Sequence, residues 1–238
     1  MDEDRRRQLR VAFVQADGAA IVDAIRAIDL ERYLQFAGDA LLIALGQRLD
    51  DAIELAAHCG TALRARGWEG DTELAEELEA ARGLATNPGL IELAVDLEEL
   101  ADSLEGELGA DEARIDLQTG EVWPAAALDY PEEPGEREPD DDDDDRWLWV
   151  PPAGSADGYR DMEDFIVSIR DQTVADLLGV AIDGRGAFRR FKDTLARWPE
   201  QEDDWYRFSD ERRRGRARAW LADAGYRPTV PDKARSSD

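Results

Sequence analysis

Apolar residues recur with helical spacing through the N-terminal part of the chain. Ile21, Val22, Ile25 and Ile28 fall at i, i+1, i+4 and i+7, and Leu30, Tyr33, Leu34, Ala37 and Leu41 follow the same logic. Each set lies on one face of a 3.6-residue helix. Leu49, Ile53, Ala56, Gly60 and Leu63 step alternately by four and three, a narrow stripe suited to packing helix on helix. Asp71 stands where it can cap a helix over 72–81, and Asp96 with Glu99 reads as a capping box for a short helix ending near Gly106. Asn87-Pro88-Gly89 breaks the pattern between them. Residues 1–108 are therefore predicted to form an antiparallel helical bundle.

The period changes at Ala113. Arg114-Ile115-Asp116-Leu117-Gln118 alternates polar and apolar, Thr119-Gly120 supplies a turn, and Glu121-Val122-Trp123-Pro124 resumes the alternation. Arg146-Trp147-Leu148-Trp149-Val150 is a third aromatic and branched run, so the pattern predicts a three-stranded antiparallel meander. Before it, residues 131–145 end in six consecutive aspartates, Asp140 to Asp145, and buries nothing by composition; a flexible acidic loop is expected. Helical spacing returns with Met162, Phe165, Ile166 and Ile169, then Val174, Leu177, Leu178 and Ala181, then Phe188, Phe191, Leu195 and Trp198, stopped by Pro199. A last helix carries Trp205, Phe208, Trp220 and Leu221, and residues 227–238 are expected to be a disordered tail. The predicted class is α+β: the helical bundle, then a mixed domain over 109–226 with a small three-stranded antiparallel sheet packed with helices.

Charge narrows the function classes. The net charge is −27, which repels nucleic acid and anionic membrane at long range and disfavours both as partners of the whole chain. Lys192 and Lys233 are the only lysines among 29 cations; a GC-rich genome accounts for this, and life in high salt is the sharper alternative. Cys59 is the single cysteine, so no internal disulfide framework exists. No apolar run reaches the roughly 20 residues of a membrane span, and a cytoplasmic protein is expected.

The positive charge is localised. Residues 183–220 carry a net +3 against −30 for residues 1–182. Within them, Gly184, Arg185, Gly186, Arg189, Arg190 and Lys192 form a glycine-flanked, basic helix start. Glycines let backbone amides approach a ligand, a helix N-terminus favours negative charge, and guanidinium forks can clamp a phosphate or carboxylate. The competing reading is an exposed ladder through Asp193, which stands four residues from both Arg189 and Arg197. A second cluster, Arg212-Arg213-Arg214-Gly215-Arg216-Ala217-Arg218, reads as solvated arginines beside core aromatics. Asp161, Glu163 and Asp164 suit helix capping better than a metal, and neighbouring His58 and Cys59 diverge too far to act as a dyad. No catalytic residue, metal site or cofactor is assigned.

Several motifs in one order resemble uncharacterised protein family 0158, a bacterial family. They are Arg114-Ile115-Asp116-Leu117-Gln118-Thr119-Gly120-Glu121-Val122-Trp123, Tyr159-Arg160-Asp161-Met162-Glu163-Asp164-Phe165-Ile166, Gly184 to Asp193, Trp205-Tyr206-Arg207-Phe208 and Trp220-Leu221. The resemblance covers about residues 114–225 and implies an α+β domain without an established activity. The first expectation for function is a non-enzymatic binding or regulatory module, its basic helix start taking an acidic protein segment or a phosphorylated ligand. Two alternatives stand beside it: an enzyme acting on a phosphate ester or nucleotide, with Asp161, Glu163 or Asp164 holding a metal, and an acidic DNA mimic.

Overall fold

A computed structural model describes residues 2–86, 89–106, 112–124 and 146–229. The aspartate-rich stretch 131–145 and the chain beyond Thr229 lie outside the described residues, and so do the expectations placed on them. Five helices open the chain: α1 (Asp2–Val14), α2 (Gly18–Ala27), α3 (Leu34–Gly46), α4 (Asp50–Arg66) and α5 (Asp71–Ala81). Their apolar faces meet in a core that includes Leu9, Ile21, Ile25, Leu41, Leu63 and Leu74. Asp17 starts α2 by accepting from the Ala20 N–H at 3.1 Å.

On α4 the buried face is Ala52, Ala56, Cys59, Gly60 and Leu63: the predicted Ala56, Gly60 and Leu63 lie on it, whereas Ile53 is exposed and Ala52 is buried in its place. Small side chains let neighbouring backbones close in, so they outweigh the more hydrophobic isoleucine in choosing the face. Asp71 is not the cap of α5 but its first residue, preceded by Gly70. Its carboxylate turns back to accept from the Trp68 N–H at 2.9 Å and from Arg66.

A parallel pair follows that the pattern did not anticipate. Strand β1 (Ile91–Leu93), inside the region expected to be helical, pairs with β5 (Tyr226–Pro228), which runs from the end of the mixed domain into the expected tail. Arg227 and Pro228 are thus strand residues, and Thr229 N–H donates to Leu93 O at 2.8 Å. Between them, Asp96 caps α6 (Leu97–Leu104), accepting from the Glu98 N–H at 2.8 Å. Strands β2 (Ala113–Asp116), β3 (Val122–Trp123) and β4 (Trp147–Val150) form the expected three-stranded antiparallel sheet, but not as a meander: the order is β3-β2-β4, with β2 in the centre and β4 paired to its other edge. Arg114 stands opposite Trp123 on one side and Trp149 on the other.

Helices α7 (Ala156–Ser168), α8 (Gln172–Ile182), α9 (Ala187–Leu195) and α10 (Pro199–Asp223) complete an α+β fold of ten helices among the described residues. The first three gather Met162, Phe165, Leu178 and Phe191 around Trp205 of α10. Phe191 and Phe165 meet that indole edge-on, with ring centroids 4.8 and 5.3 Å away. Pro199, read as a stop, is instead the first residue of α10, where its missing N–H costs no helical bond. Further along, Ala217 and Leu221 enter the core shared by α6 and the sheet. Midway, Gly215 passes backbone to backbone against Gly70, where a Cβ on either residue would overlap the other strand of chain. That close approach sinks α10 into the N-terminal helices. Among the described residues, no helix is long and apolar enough to cross a membrane.

Candidate functional site

The basic helix start does not converge on a ligand space. Gly184 and Gly186 adopt φ of +78° and +75° and reverse the chain between α8 and α9. Arg190 reaches back over this turn and donates to the carbonyls of Ala181 at 3.0 Å, Asp183 at 2.6 Å, Gly184 at 3.3 Å and Arg185. Its guanidinium closes the C-terminus of α8, where unpaired carbonyls and the helix dipole both attract a cation. Arg189 is 89% exposed, with Nε 3.7 Å from Asp193, which matches the ladder reading. Arg185 and Lys192 are exposed, and no carboxylate of the described residues pairs with either.

The other predicted clusters are also spent internally. Asp161 is buried, 2.9 Å from both Arg212 and Arg216, while Asp164 pairs with Arg212 at 3.0 Å and Glu163 is exposed. Two of the three carboxylates weighed for a metal are therefore ion-pair partners. Cys59 is buried with its Sγ 3.5 Å from Leu34 O, and burial pushes its thiol pKa up to about 12, which leaves it unreactive as a nucleophile. The α10 arginines are not solvated as expected. Arg213 pairs with Asp102 and Glu105, Arg214 with Asp39, and Arg218 with Asp39 and Glu77.

These last contacts belong to a buried seam of charge between α10 and the N-terminal helices. Arg218 is fully buried; its Nε donates to Gln35 Oε1 at 3.1 Å, Nη1 to Glu77 at 3.1 Å, and Nη2 to Asp39. Gln35 in turn donates to Asp71 at 2.9 Å, and Asp71 receives Arg66 at 2.7 Å. Glu211 accepts from Arg66 at 2.9 Å and from the Gln35 and Phe36 backbone N–H groups at 2.7 and 3.2 Å. The sequence did offer one signal: Gln35 and Asp39 are polar at i and i+4 in the otherwise apolar α3, so they share a face. Glu77 and Arg218 sit in strongly charged helices and carry no comparable mark.

Compensation along the seam is uneven. Burial alone would raise the pKa of Asp39, but Arg218 and Arg214 outweigh it and hold the carboxyl below its ordinary range. Glu77 is pushed the other way: burial dominates, Arg218 only partly offsets it, and the Asp39 charge adds to the rise. Glu211 is raised as well, burial prevailing over Arg66 and the two backbone donors. Glu77 is also the incompletely bonded member, since its Oε2 is buried without a hydrogen-bond partner.

Glu77 lines a cavity of about 450 Å³ at one end of the seam. Its walls are apolar, from Phe13, Leu42, Ile43, Val95 and Leu97, and its charged groups are Asp39, Glu77, Glu92, Asp96, Arg214 and Arg227. Arg227 pairs with Glu92 yet leaves its Nε buried and unbonded. A smaller cavity of about 220 Å³ between α1, α6 and α10 is lined by arginines, of which Arg6, Arg10 and Arg213 bind Asp210, Glu98 and Asp102. The larger space joins apolar walls to a buried carboxylate oxygen without a donor, the pattern of a ligand pocket.

Comparison with known proteins divides the chain at this seam. The family described as uncharacterised protein family UPF0158 matches residues 86–236, from β1 onward. A UPF0158 protein of Pseudomonas aeruginosa is 31% identical over 141 residues, covering 58% of this chain and 88% of the relative. No solved structure matches. Asp39 and Glu77 lie before the matched region, whereas Arg214, Arg218 and Arg227 lie inside it. On a match over more than half of its length, the chain belongs to the UPF0158 family and carries five helices ahead of the region that defines it.

Proposed function

We propose that the protein is a non-enzymatic binding module whose ligand enters the cavity between the N-terminal helices and α10. The observation that carries this reading is the pairing of apolar walls with a buried, unbonded Glu77 oxygen in a space of about 450 Å³. Pockets for small organic molecules run roughly 300–1,000 Å³ and place few polar groups among apolar ones. A leftover buried acceptor costs free energy until something donates to it, so the site gains from a ligand. The test is a thermal-shift screen of amphiphilic small molecules against the full chain and against Ala81→Trp, which fills the cavity from the end of α5. Ligands that stabilise the full chain but not the variant support the reading; a screen without any such ligand overturns it.

A second surface keeps the acidic-segment or phosphorylated-ligand reading open as a proposal. Arg185 and Lys192 are exposed without a carboxylate partner among the described residues, and Arg189 has only a long contact to Asp193. With Gly184 and Gly186 shaping the turn, this trio is the part of the predicted site left to face outward, whereas Arg190 is committed to α8. Charge reversal at Arg185 and Lys192 that leaves capture of an acidic or phosphorylated peptide unchanged removes it. A cytoplasmic setting is part of the same proposal, supported by a single cysteine, Cys59, which leaves the chain without an internal disulfide.

A further inference from the structure

We infer that the cavity selects an organic ammonium ion: a protonated amine on an apolar body, with Glu77 as its counter-ion. This deepens the cavity reading above and rests on it. Around the seam, four buried carboxylates, Asp39, Asp71, Glu77 and Glu211, face three guanidiniums, those of Arg66, Arg214 and Arg218. Counted over these hydrogen-bonded groups the cluster is one positive charge short; Arg227 acts on Glu77 through space across the cavity, but its bonded partner is Glu92. Each of the other three acids has two or more donors, while Glu77 has a single bond from an Arg218 that also serves Asp39 and Gln35. The deficit therefore falls on Glu77, the acid that lines the cavity.

The rest of the wall points the same way. Four carboxylates and two guanidiniums line the space, so an anion would meet net repulsion. Glu92 is held by Arg227, Asp96 is engaged as the cap of α6, and Asp39 is held by two arginines. An ammonium group brings up to three donors and a full charge to the one acid left wanting, and the apolar walls take its hydrocarbon. A neutral alcohol would supply a donor without the charge. Burial raises the Glu77 pKa, and a bound cation would favour its ionised form.

Isothermal titration of the full chain with octylamine, octanol and octanoate at neutral pH tests this, together with Glu77→Gln. Octylamine is expected to bind about tenfold or more tighter than octanol, because a hydrogen bond to a charged group is worth more than one decade of affinity. Octanoate is expected to bind weakest. Glu77→Gln should keep octanol binding and erase the preference for the amine. Octanol or octanoate binding as well as octylamine overturns the ammonium assignment while leaving a ligand cavity in place. Failure of all three to bind overturns both. Should Glu77→Gln not fold, the wild-type ranking decides by itself.

Discussion

Replacing Arg218 by methionine keeps most of the stem volume and discards the charge. The side chain is fully buried and bonded to Gln35, Asp39 and Glu77, so its loss leaves the Glu77 carboxylate without any hydrogen bond. Removing one partner of a buried ion pair costs about 3–5 kcal/mol, set against a total stability of about 5–15 kcal/mol. With a urea slope of about 2–3 kcal/mol per M for a chain of this size, the midpoint should fall by roughly 1–2 M. Adding Glu77→Gln to Arg218→Met should recover part of the loss, since the stranded charge goes with it. Arg189→Met, at an 89% exposed side chain, serves as the control and should stay within about 0.5 kcal/mol. Equal shifts for Arg218→Met and Arg189→Met would refute the idea that the seam holds α10 to the N-terminal helices.

Arg190→Ala should cost about 1–2 kcal/mol in chemical denaturation by uncapping the last carbonyls of α8; no loss would mean the guanidinium is not engaged there. Arg190→Lys should not restore it, because one ammonium cannot reproduce the fork. Cys59, buried with its thiol pushed up to about 12, should react with a thiol reagent only as fast as the protein unfolds, and fast labelling of the native protein would contradict its burial. For pH, Glu77 and Glu211 are raised in the fold, so these two groups favour the folded state more as pH falls from neutral through their raised values toward the ordinary 4.5. Asp39 and Asp116 are lowered, so their contribution is lost only as pH falls below 3.8. Thermal stability should therefore peak on the acid side of neutrality, and Glu77→Gln should flatten the rise; a peak at neutral or basic pH in both proteins would refute this.

What the sequence made legible is what local periodicity encodes. The strands at Arg114 and Val122 alternate polar and apolar in sequence, the one at Trp147 is an aromatic and branched run, and the stripe through Met162 and Phe165 repeats at the helical period, so each element appears where the pattern put it. The pairing of Ile91–Leu93 with Tyr226–Pro228 does not, because two strands of three residues have too short a pattern to stand out and meet across most of the chain. The candidate site was hidden for a related reason. Charge on a helix reads as a solvated face by default, and α10 is polar almost all round, so nothing in residues 199–223 marks Glu211 and Arg218 as buried. The basic block at Arg190 was visible, but its direction was not: whether a guanidinium points at solvent or at the carbonyls of the preceding helix depends on the turn made by Gly184 and Gly186.

Apart from Trp205, Ala217 and Leu221, α10 turns mostly charged side chains to its neighbours, and charge that is buried there has to be paired. Here α6 and α7 answer one side through Asp102, Glu105, Asp161 and Asp164, and α3 to α5 answer the other through Asp39, Arg66 and Glu77 with Gln35. The first group lies within the part of the chain shared with the family, the second ahead of it. The Pseudomonas aeruginosa relative is matched over 88% of its length by 141 residues, which leaves it little chain with which to build a counterpart of α1 to α5. A family member of that length must either lack the charges that this chain carries at Glu211, Arg214 and Arg218, or present them to water or to another molecule. In this protein the five added helices fill that place, and they do so imperfectly at one point. The surplus carboxylate at Glu77, beside an apolar cavity at the edge of the joint, is where a ligand has the most to add.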